Sequence, residues 1–176
     1  MKLKYIVKIF VITYLFFGIN ISFADTKVVY VDMNRILTES KVGLYVEKHL
    51  TDIHKGNLDK FKKSEESLKK DEIDLISKRN IMNTDDFNKK LNELRDKAAD
   101  YQNQRREKFD KINEKRNKAT VEVMKTLEPI LSSYAEQNQI AFIIEQKSIV
   151  VGKNDFDVTK DIIEELDKKL PSIKIN

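Results

Sequence analysis

Apolar positions are densest near the two ends of the 176-residue chain and sparse between them. Near the start, a β-branched and aromatic run closed by Asp32 predicts a strand, made of Val28, Val29, Tyr30 and Val31. A strand of about five residues cannot satisfy its own backbone donors and acceptors. The pattern therefore predicts a partner strand elsewhere in the chain.

The second dense region, IAFIIEQKSIVVG at residues 140–152, supplies that partner. Its two apolar runs flank Gln146 and Lys147, which predicts a β-hairpin. We expect its strands to pair with residues 28–31 and to offer edges at which chains associate; they contain Phe142, Ile143, Ile144, Ile149, Val150 and Val151. The following DFDVTKDIIEELDKKLP predicts a terminal helix with an Asp/Thr cap, ended by Pro171.

Between these regions, apolar residues recur along one side of two long polar helices. The first helix begins after an N-cap at Ser40, and its narrow stripe contains Val46, Leu50, Ile53, Phe61, Leu68 and Leu75. A break near residues 80–84 offers Asn83 or Thr84 as a new cap. The second stripe then contains Phe87, Leu91, Leu94, Ala98, Tyr101, Phe109, Ile112, Ala119, Val123 and Leu127. Two such helices predict an antiparallel helical hairpin.

The order of elements predicts an α+β chain that is mainly α-helical. We expect an α/β oligomerisation body formed by residues 25–45 and 128–176, from which residues 46–127 project as a helical-hairpin arm. Three short strands and a few helix ends make a thin core. Small bodies of this kind are often completed by oligomerisation.

The first 24 residues have the pattern of a secretory signal peptide. Three lysines open the segment, and an uncharged run follows at residues 9–24. Small residues at the peptidase-read positions predict cleavage between Ala24 and Asp25 and export of the mature chain. The alternative is an uncleaved anchor through residues 5–21, although a membrane span needs about 20 apolar residues.

Removal of the leader changes what the charge implies. The chain carries 33 basic and 29 acidic residues, a net of +4, but three of the lysines lie in the leader, which has no acid. The mature chain is then nearly neutral, so its composition gives little support to a nucleic-acid binder. The strongest local excess has seven basic residues against three acids: Arg105, Arg106, Lys108, Lys111, Lys115, Arg116 and Lys118.

No catalytic or cofactor-binding constellation is visible in the sequence. Cysteine is absent, and the two histidines, His49 and His54, are five residues apart on one predicted helix, so they do not share a face as a metal pair would. The few glycines do not form a phosphate-binding loop. We therefore expect no enzymatic activity, no metal and no cofactor.

The ordered arrangement resembles the Skp/OmpH family of periplasmic chaperones. The likeness is carried by the leader, by VVYVDMNRILTES, by the long charged hairpin, by EPILSSYAEQNQIAFIIEQKSIVVG and by DVTKDIIEEL. The resemblance implies a homotrimer in the periplasm whose hairpins enclose unfolded outer-membrane β-barrel proteins without ATP. The sequence departs from the family in one respect. Family members tend to have strongly basic arms, whereas residues 60–97 hold 11 basic and 9 acidic residues.

Two regions are candidate contacts in this context. At the arm tip, adaptable apolar side chains with basic neighbours are predicted to touch the client: Ile76, Ile81, Met82, Lys78, Arg79, Lys89 and Lys90. The basic residues of 105–118 either form a solvated face with pairs such as Glu107–Lys111 and Glu114–Lys118, or contact an acidic client, an anionic lipid or lipopolysaccharide. The first alternative to the chaperone is a coiled-coil scaffold tethered to the inner membrane, and a less favoured one is a basic-helix nucleic-acid binder.

The leader gives a direct prediction. Protein extracted from cells should begin at Asp25, because export through a signal peptidase removes residues 1–24. N-terminal sequencing of the extracted chain measures this. An intact Met1 would favour the membrane-tethered scaffold instead.

Overall fold

The structure, a computed structural model, describes residues 26–175, so the predicted leader and its cleavage site lie outside the described residues. The chain is mainly α-helical with a small β part, as the sequence predicts. The elements in chain order are strand β1 (Lys27–Val31), helices α1 (Met33–Glu39), α2 (Lys41–Ser77) and α3 (Thr84–Gln137), strand β2 (Ile140–Glu145), two 3₁₀ turns (Gln146–Ser148 and Asn154–Phe156) and helix α4 (Thr159–Lys169).

The helical hairpin is formed by α2, with 37 residues, and α3, with 54. The two predicted caps are confirmed: the Ser40 hydroxyl accepts from the Gly43 N–H at 3.2 Å, and the Asn83 side chain accepts from the Asp85 N–H at 2.8 Å. Asp85 and Asp86 lie in the first turn of α3, where the helix dipole favours negative charge. At 1.5 Å per residue, α3 is about 80 Å long.

β1 finds its partner in the predicted region, because it pairs with β2. The two strands are parallel, with Val29 opposite Ile143 and Tyr30 opposite Ile144. Parallel neighbours need a crossover connection, and the whole hairpin of α2 and α3 is that connection. The sheet among the described residues has only these two strands.

The predicted β-hairpin at residues 140–152 is wrong in its second half. β2 ends at Glu145, a 3₁₀ turn follows, and Ile149, Val150 and Val151 belong to no strand. The Gln146–Lys147 pair lacks the Asn or Gly that tight hairpin turns require. The Ile149 N–H instead bonds to the Gln146 carbonyl at 2.9 Å, which turns the chain away from β2.

Both chain ends share one apolar core, which we call the terminal core. Its buried residues come from β1, α1, β2, α4 and the adjoining ends of α2 and α3. The most deeply buried apolar members, each with no exposed surface, are Ile36, Val42, Leu127, Ile162 and Leu166. The core is therefore built by residues from opposite ends of the sequence.

A polar junction ties the two ends together inside this core. The Asp32 N–H donates to the Thr159 hydroxyl at 2.8 Å, and that buried hydroxyl donates to the Asp157 carboxylate. Asp32 also caps α1, a short helix that the sequence did not predict, by accepting from the Arg35 N–H at 3.0 Å. The terminal helix is confirmed, but its predicted Asp/Thr cap is formed only in part. Asp157 accepts from the Thr159 N–H at 2.9 Å, as a capping residue does. The Thr159 hydroxyl is instead used in the junction with Asp32 and Asp157.

Two glycines of α2 give a matched test of this packing. A Cβ on Gly43 would lie 2.1 Å from the Leu37 carbonyl oxygen, whereas a Cβ on Gly56 would meet nothing within 4 Å. Gly43→Ala should destabilise the protein by about 1–3 kcal/mol through overpacking. Gly56→Ala should stabilise it by about 0.5–1 kcal/mol, since alanine is the better helix former.

Urea unfolding of both variants at one fixed chain concentration measures the two effects. If both substitutions change the free energy of unfolding in the same direction, the close approach of α1 to α2 is not the reason for glycine at position 43.

Candidate functional site

The predicted seam between the two long helices is present but thin. Its buried members are concentrated near the terminal core: Val46, Leu50, Ile112, Ala119, Val123 and Leu127. Between Leu50 and Leu75, α2 contains no buried residue, although the structure describes all of that stretch. The Phe61 and Tyr101 rings meet edge to face there, with centroids 5.9 Å apart. Most of the hairpin is therefore held by few apolar contacts.

Polar contacts supplement this seam from one helix to the other. Three ion pairs join α2 to α3: Glu47–Arg116 at 2.5 Å, Glu65–Arg105 at 3.9 Å and Asp71–Lys97 at 2.9 Å. The Tyr101 hydroxyl donates to the Glu65 carboxylate, and this hydrogen bond raises the pKa of Tyr101. A hydrogen bond from Arg116 lowers the pKa of Glu47. Each pair is largely exposed, so it contributes little to stability and mainly fixes the register of the two helices.

The free end of the hairpin exposes large apolar side chains. Ile76 is 61 % exposed and Ile81 is 84 % exposed, and their contact with a client stays a prediction. Ile73, at 60 %, is exposed beside them but was not predicted, because it lies farther from the break near residues 80–84. Met82 was predicted to be exposed, but it is half-buried. With Leu75 and Leu94 it lines a cavity of about 210 Å³.

The basic residues predicted at the free end surround this apolar surface without joining into one patch. Lys78 is held by Asp74 at 2.6 Å, and this bond lowers the pKa of the Asp74 carboxyl. Lys90 lines the same cavity as Met82, while Arg79 and Lys89 are exposed. The end of the hairpin is thus apolar with charges of both signs, rather than strongly positive.

The basic residues of 105–118 lie on exposed turns of α3 and are largely paired. The predicted pairs Glu107–Lys111 and Glu114–Lys118 are both present at 2.5 Å, and they lower the pKa values of the two glutamates. The cross-helix pairs above account for two further members, Arg105 and Arg116. Within residues 26–175, the members without an acidic partner inside 4 Å are Arg106, Lys108 and Lys115. The pairing favours the interpretation as a solvated face.

A second apolar surface lies around the two-stranded sheet. The predicted strand residues divide by side: Val29, Val31 and Ile143 pack into the terminal core, whereas Phe142 is 62 % exposed and Ile144 39 %. Val150 and Val151, at 98 % and 89 %, extend this surface beyond the sheet. Phe156, which lines a cleft with Val28 of β1, is a further exposed member not predicted from the sequence. Leu44 and Tyr45 are also exposed, in the first turns of α2.

The two histidines serve packing on different parts of the hairpin. His49 stacks on Tyr45 with ring centroids 6.3 Å apart, and His54 meets Phe109 edge to face at 5.4 Å. Both are half-buried. This agrees with their interpretation as surface or seam residues.

The geometry defines a class of protein: a long antiparallel helical hairpin carried by a small α/β core, with apolar side chains exposed at both ends. The model of the family described as "Outer membrane protein (OmpH-like)" matches residues 27–166. This match covers most of the chain, so the chain belongs to the OmpH-like family.

Known structures share the fold. The crystal structure of a "putative outer membrane chaperone (OmpH-like)" from Caulobacter crescentus is similar, with a TM-score of 0.77 and 16 % identity over 85 % of this chain and 88 % of that chain. No curated protein matches the sequence. Among residues 26–175, none of the helices combines the length and apolar character that crossing a bilayer requires.

A tyrosine near the terminal core gives a pH-dependent test. The Tyr134 hydroxyl donates to the Asp161 carboxylate at 2.6 Å, joining α3 to α4. Burial, and then this hydrogen bond, raise the pKa of Tyr134 from 10.0 to about 12. Because the folded state favours the neutral phenol, the stabilisation that the Tyr134 hydroxyl gives to the folded state is complete below pH 10. It is lost as pH rises from about 10 to about 12.

The difference in unfolding free energy between the natural chain and Tyr134→Phe should therefore shrink between pH 9 and pH 12. Urea unfolding across this range measures it, and Asp161→Asn, which keeps an acceptor but removes the charge, should reduce the shrinkage. A difference that stays constant across the range would contradict this account of Tyr134.

Proposed function

We propose that this chain is an ATP-independent holdase chaperone of the periplasm. It binds unfolded outer-membrane β-barrel proteins between its helical arms and keeps them soluble until insertion. The observation that carries the proposal is the apolar free end of a long, sparsely packed hairpin, with Ile73, Ile76 and Ile81 exposed. Membership of the OmpH-like family and the relative described as an outer membrane chaperone support it.

The mechanism follows from many weak contacts on a long arm. Burying an isoleucine side chain completely contributes about 1.5–3 kcal/mol, and the partial burial available to Ile76 or Ile81 contributes less. Several such contacts hold an unfolded segment, yet each one breaks easily. The client is thereby shielded from aggregation and released without an energy source. The mixed charges around the tip, including Lys78 and Asp74, keep the free arm soluble.

We further propose that the surface around the sheet joins three copies into a homotrimer. β2 has β1 on one edge only, and Phe142, Val150 and Val151 lie exposed beside it. Large exposed apolar side chains near one another are a common mark of a protein–protein interface, and an unpaired strand edge invites pairing with another chain. The number three comes from the family resemblance.

Native mass spectrometry of the chain beginning at Asp25 tests the proposal. The chain is measured alone and after dilution of a urea-unfolded outer-membrane barrel protein into it, without nucleotide. We expect a trimer that takes up one unfolded client. A monomer or dimer that leaves the client to aggregate would overturn the holdase assignment and favour the scaffold.

The same measurement locates the contact. Ile76→Ser combined with Ile81→Ser should weaken client uptake about tenfold, because two exposed apolar contacts are lost. Val121→Ser combined with Met124→Ser is the matched control, since these side chains are also exposed, at 55 % and 40 %, but lie beside the terminal core. If both double variants lose client uptake equally, the client contact does not lie at the tip.

A further inference from the structure

The last described residues, 170–175, form an extended segment that we call the C-terminal tail. Helix α4 ends where the Leu170 N–H bonds to the Leu166 carbonyl at 2.7 Å, and no regular secondary structure follows. Three apolar side chains of the tail nevertheless pack against the terminal core: Leu170, Ile173 and Ile175. The tail is thus bound to the rest of the chain by its apolar side chains.

Burial alternates along the tail as it does along a β-strand. Ser172 and Lys174 are exposed, whereas Ile173 and Ile175 are half-buried. A period of two places alternate side chains on opposite sides of an extended backbone. The tail therefore presents one apolar side to the protein and one polar side to water.

The groove that receives the tail lies on α3 near its contact with the terminal core. The tail and α3 together line a cleft of about 530 Å³, with Lys115, Lys118, Ala119 and Glu122 on the α3 side. Ser172 and Lys174 of the tail also line this cleft and are exposed, so the cleft is open to solvent. The tail thus covers only part of its groove.

Hydrogen bonds do not hold the tail in place. Within the described residues, the backbone and side chains of 171–175 make no hydrogen bond to another part of the chain. This differs from the start of α2, where the Lys41 N–H is held by the Asp167 carboxylate at 2.6 Å. A segment held by two or three half-buried apolar side chains can leave at little cost.

We propose that the C-terminal tail is a tethered competitor of the client, and that its groove on α3 also accepts an extended client segment. The strands of outer-membrane barrels alternate apolar and polar residues with the same period of two, so an unfolded strand segment matches the tail in pattern and backbone form. The inference rests on the proposed function, because it concerns how the same client is bound.

The consequence for affinity follows from competition. A client can enter the groove only in molecules whose tail has left it, so the apparent affinity falls by the undocked fraction. A tail docked in about nine molecules of ten weakens this contact about tenfold. Tethering gives the tail a high effective concentration despite its few contacts. The tail would then protect the groove while no client is present and yield to one that binds elsewhere on the arm as well.

Spin labels test the displacement in the folded chain. Because the natural sequence has no cysteine, Lys118→Cys and Lys174→Cys introduce the only two thiols. Both lysines line the cleft. With labelled chains diluted in unlabelled ones, electron–electron distance measurement should give a short, narrow distribution without client and a long, broad one at saturating unfolded barrel protein. A distribution that client leaves unchanged, or one already long without client, would overturn the proposal.

Substitutions in the tail test the competition. Ile173→Ser combined with Ile175→Ser should bind the unfolded client several-fold more tightly, while Lys160→Ser, which changes an exposed position on α4 outside the cleft, should bind as the natural chain does. If the natural chain takes up client but the double variant binds it equally or more weakly, the tail proposal fails and the chaperone proposal stands. If none of the chains takes up client, both proposals fail.

Discussion

The rest of the structure depends on the pairing of two short strands that lie more than a hundred residues apart in sequence. β1 and β2 are parallel, so the chain must leave one end of the sheet and return to the other before they can pair. An antiparallel helical hairpin brings the chain back close to where it left. Loop-closure entropy also rises only slowly with loop length, by about 0.6 kcal/mol per doubling. The long arm is therefore compatible with a very small sheet.

The same constraint explains how packing changes along the molecule. Close to the sheet, residues of both ends interlock, and the Asp32–Thr159–Asp157 junction is satisfied inside the core. Along the hairpin each helix has only its one partner, so a narrow stripe suffices and the remaining surface stays polar. At the free end the apolar side chains Ile76 and Ile81 have no partner helix to cover them. Buried apolar residues are concentrated in the terminal core, whereas exposed apolar side chains occur both at the free end and around the sheet.

The sequence predicts what depends on local periodicity and capping. Ser40 and Asn83 are local signals of this kind, and the structure confirms them. The seam stripes are confirmed only in part, because the predicted members Ala98 and Phe109 are exposed. It does not predict what tertiary contacts decide. Nothing in residues 28–31 indicates a parallel rather than an antiparallel partner, and α1 has only seven residues, too few for periodicity to stand out. The run Ile149–Val151 has strand propensity, but the 3₁₀ turn before it does not direct the chain back along β2, so no second strand forms. At the candidate site, exposure at Ile73 and the half-burial of Met82 depend on where the two helices separate.

The thin seam follows from the scarcity of apolar residues along the arm. A denser stripe would place more apolar surface between α2 and α3 and stabilise the hairpin, but it would leave less apolar surface exposed on the arm. An arm that exposed the same groups without polar neighbours would associate with other arms. Polar residues within the seam, such as Asp71 paired with Lys97, set the register while leaving the apolar groups uncommitted. The scarcity of apolar residues that leaves the arm with few internal contacts also leaves Ile76 and Ile81 exposed at its free end.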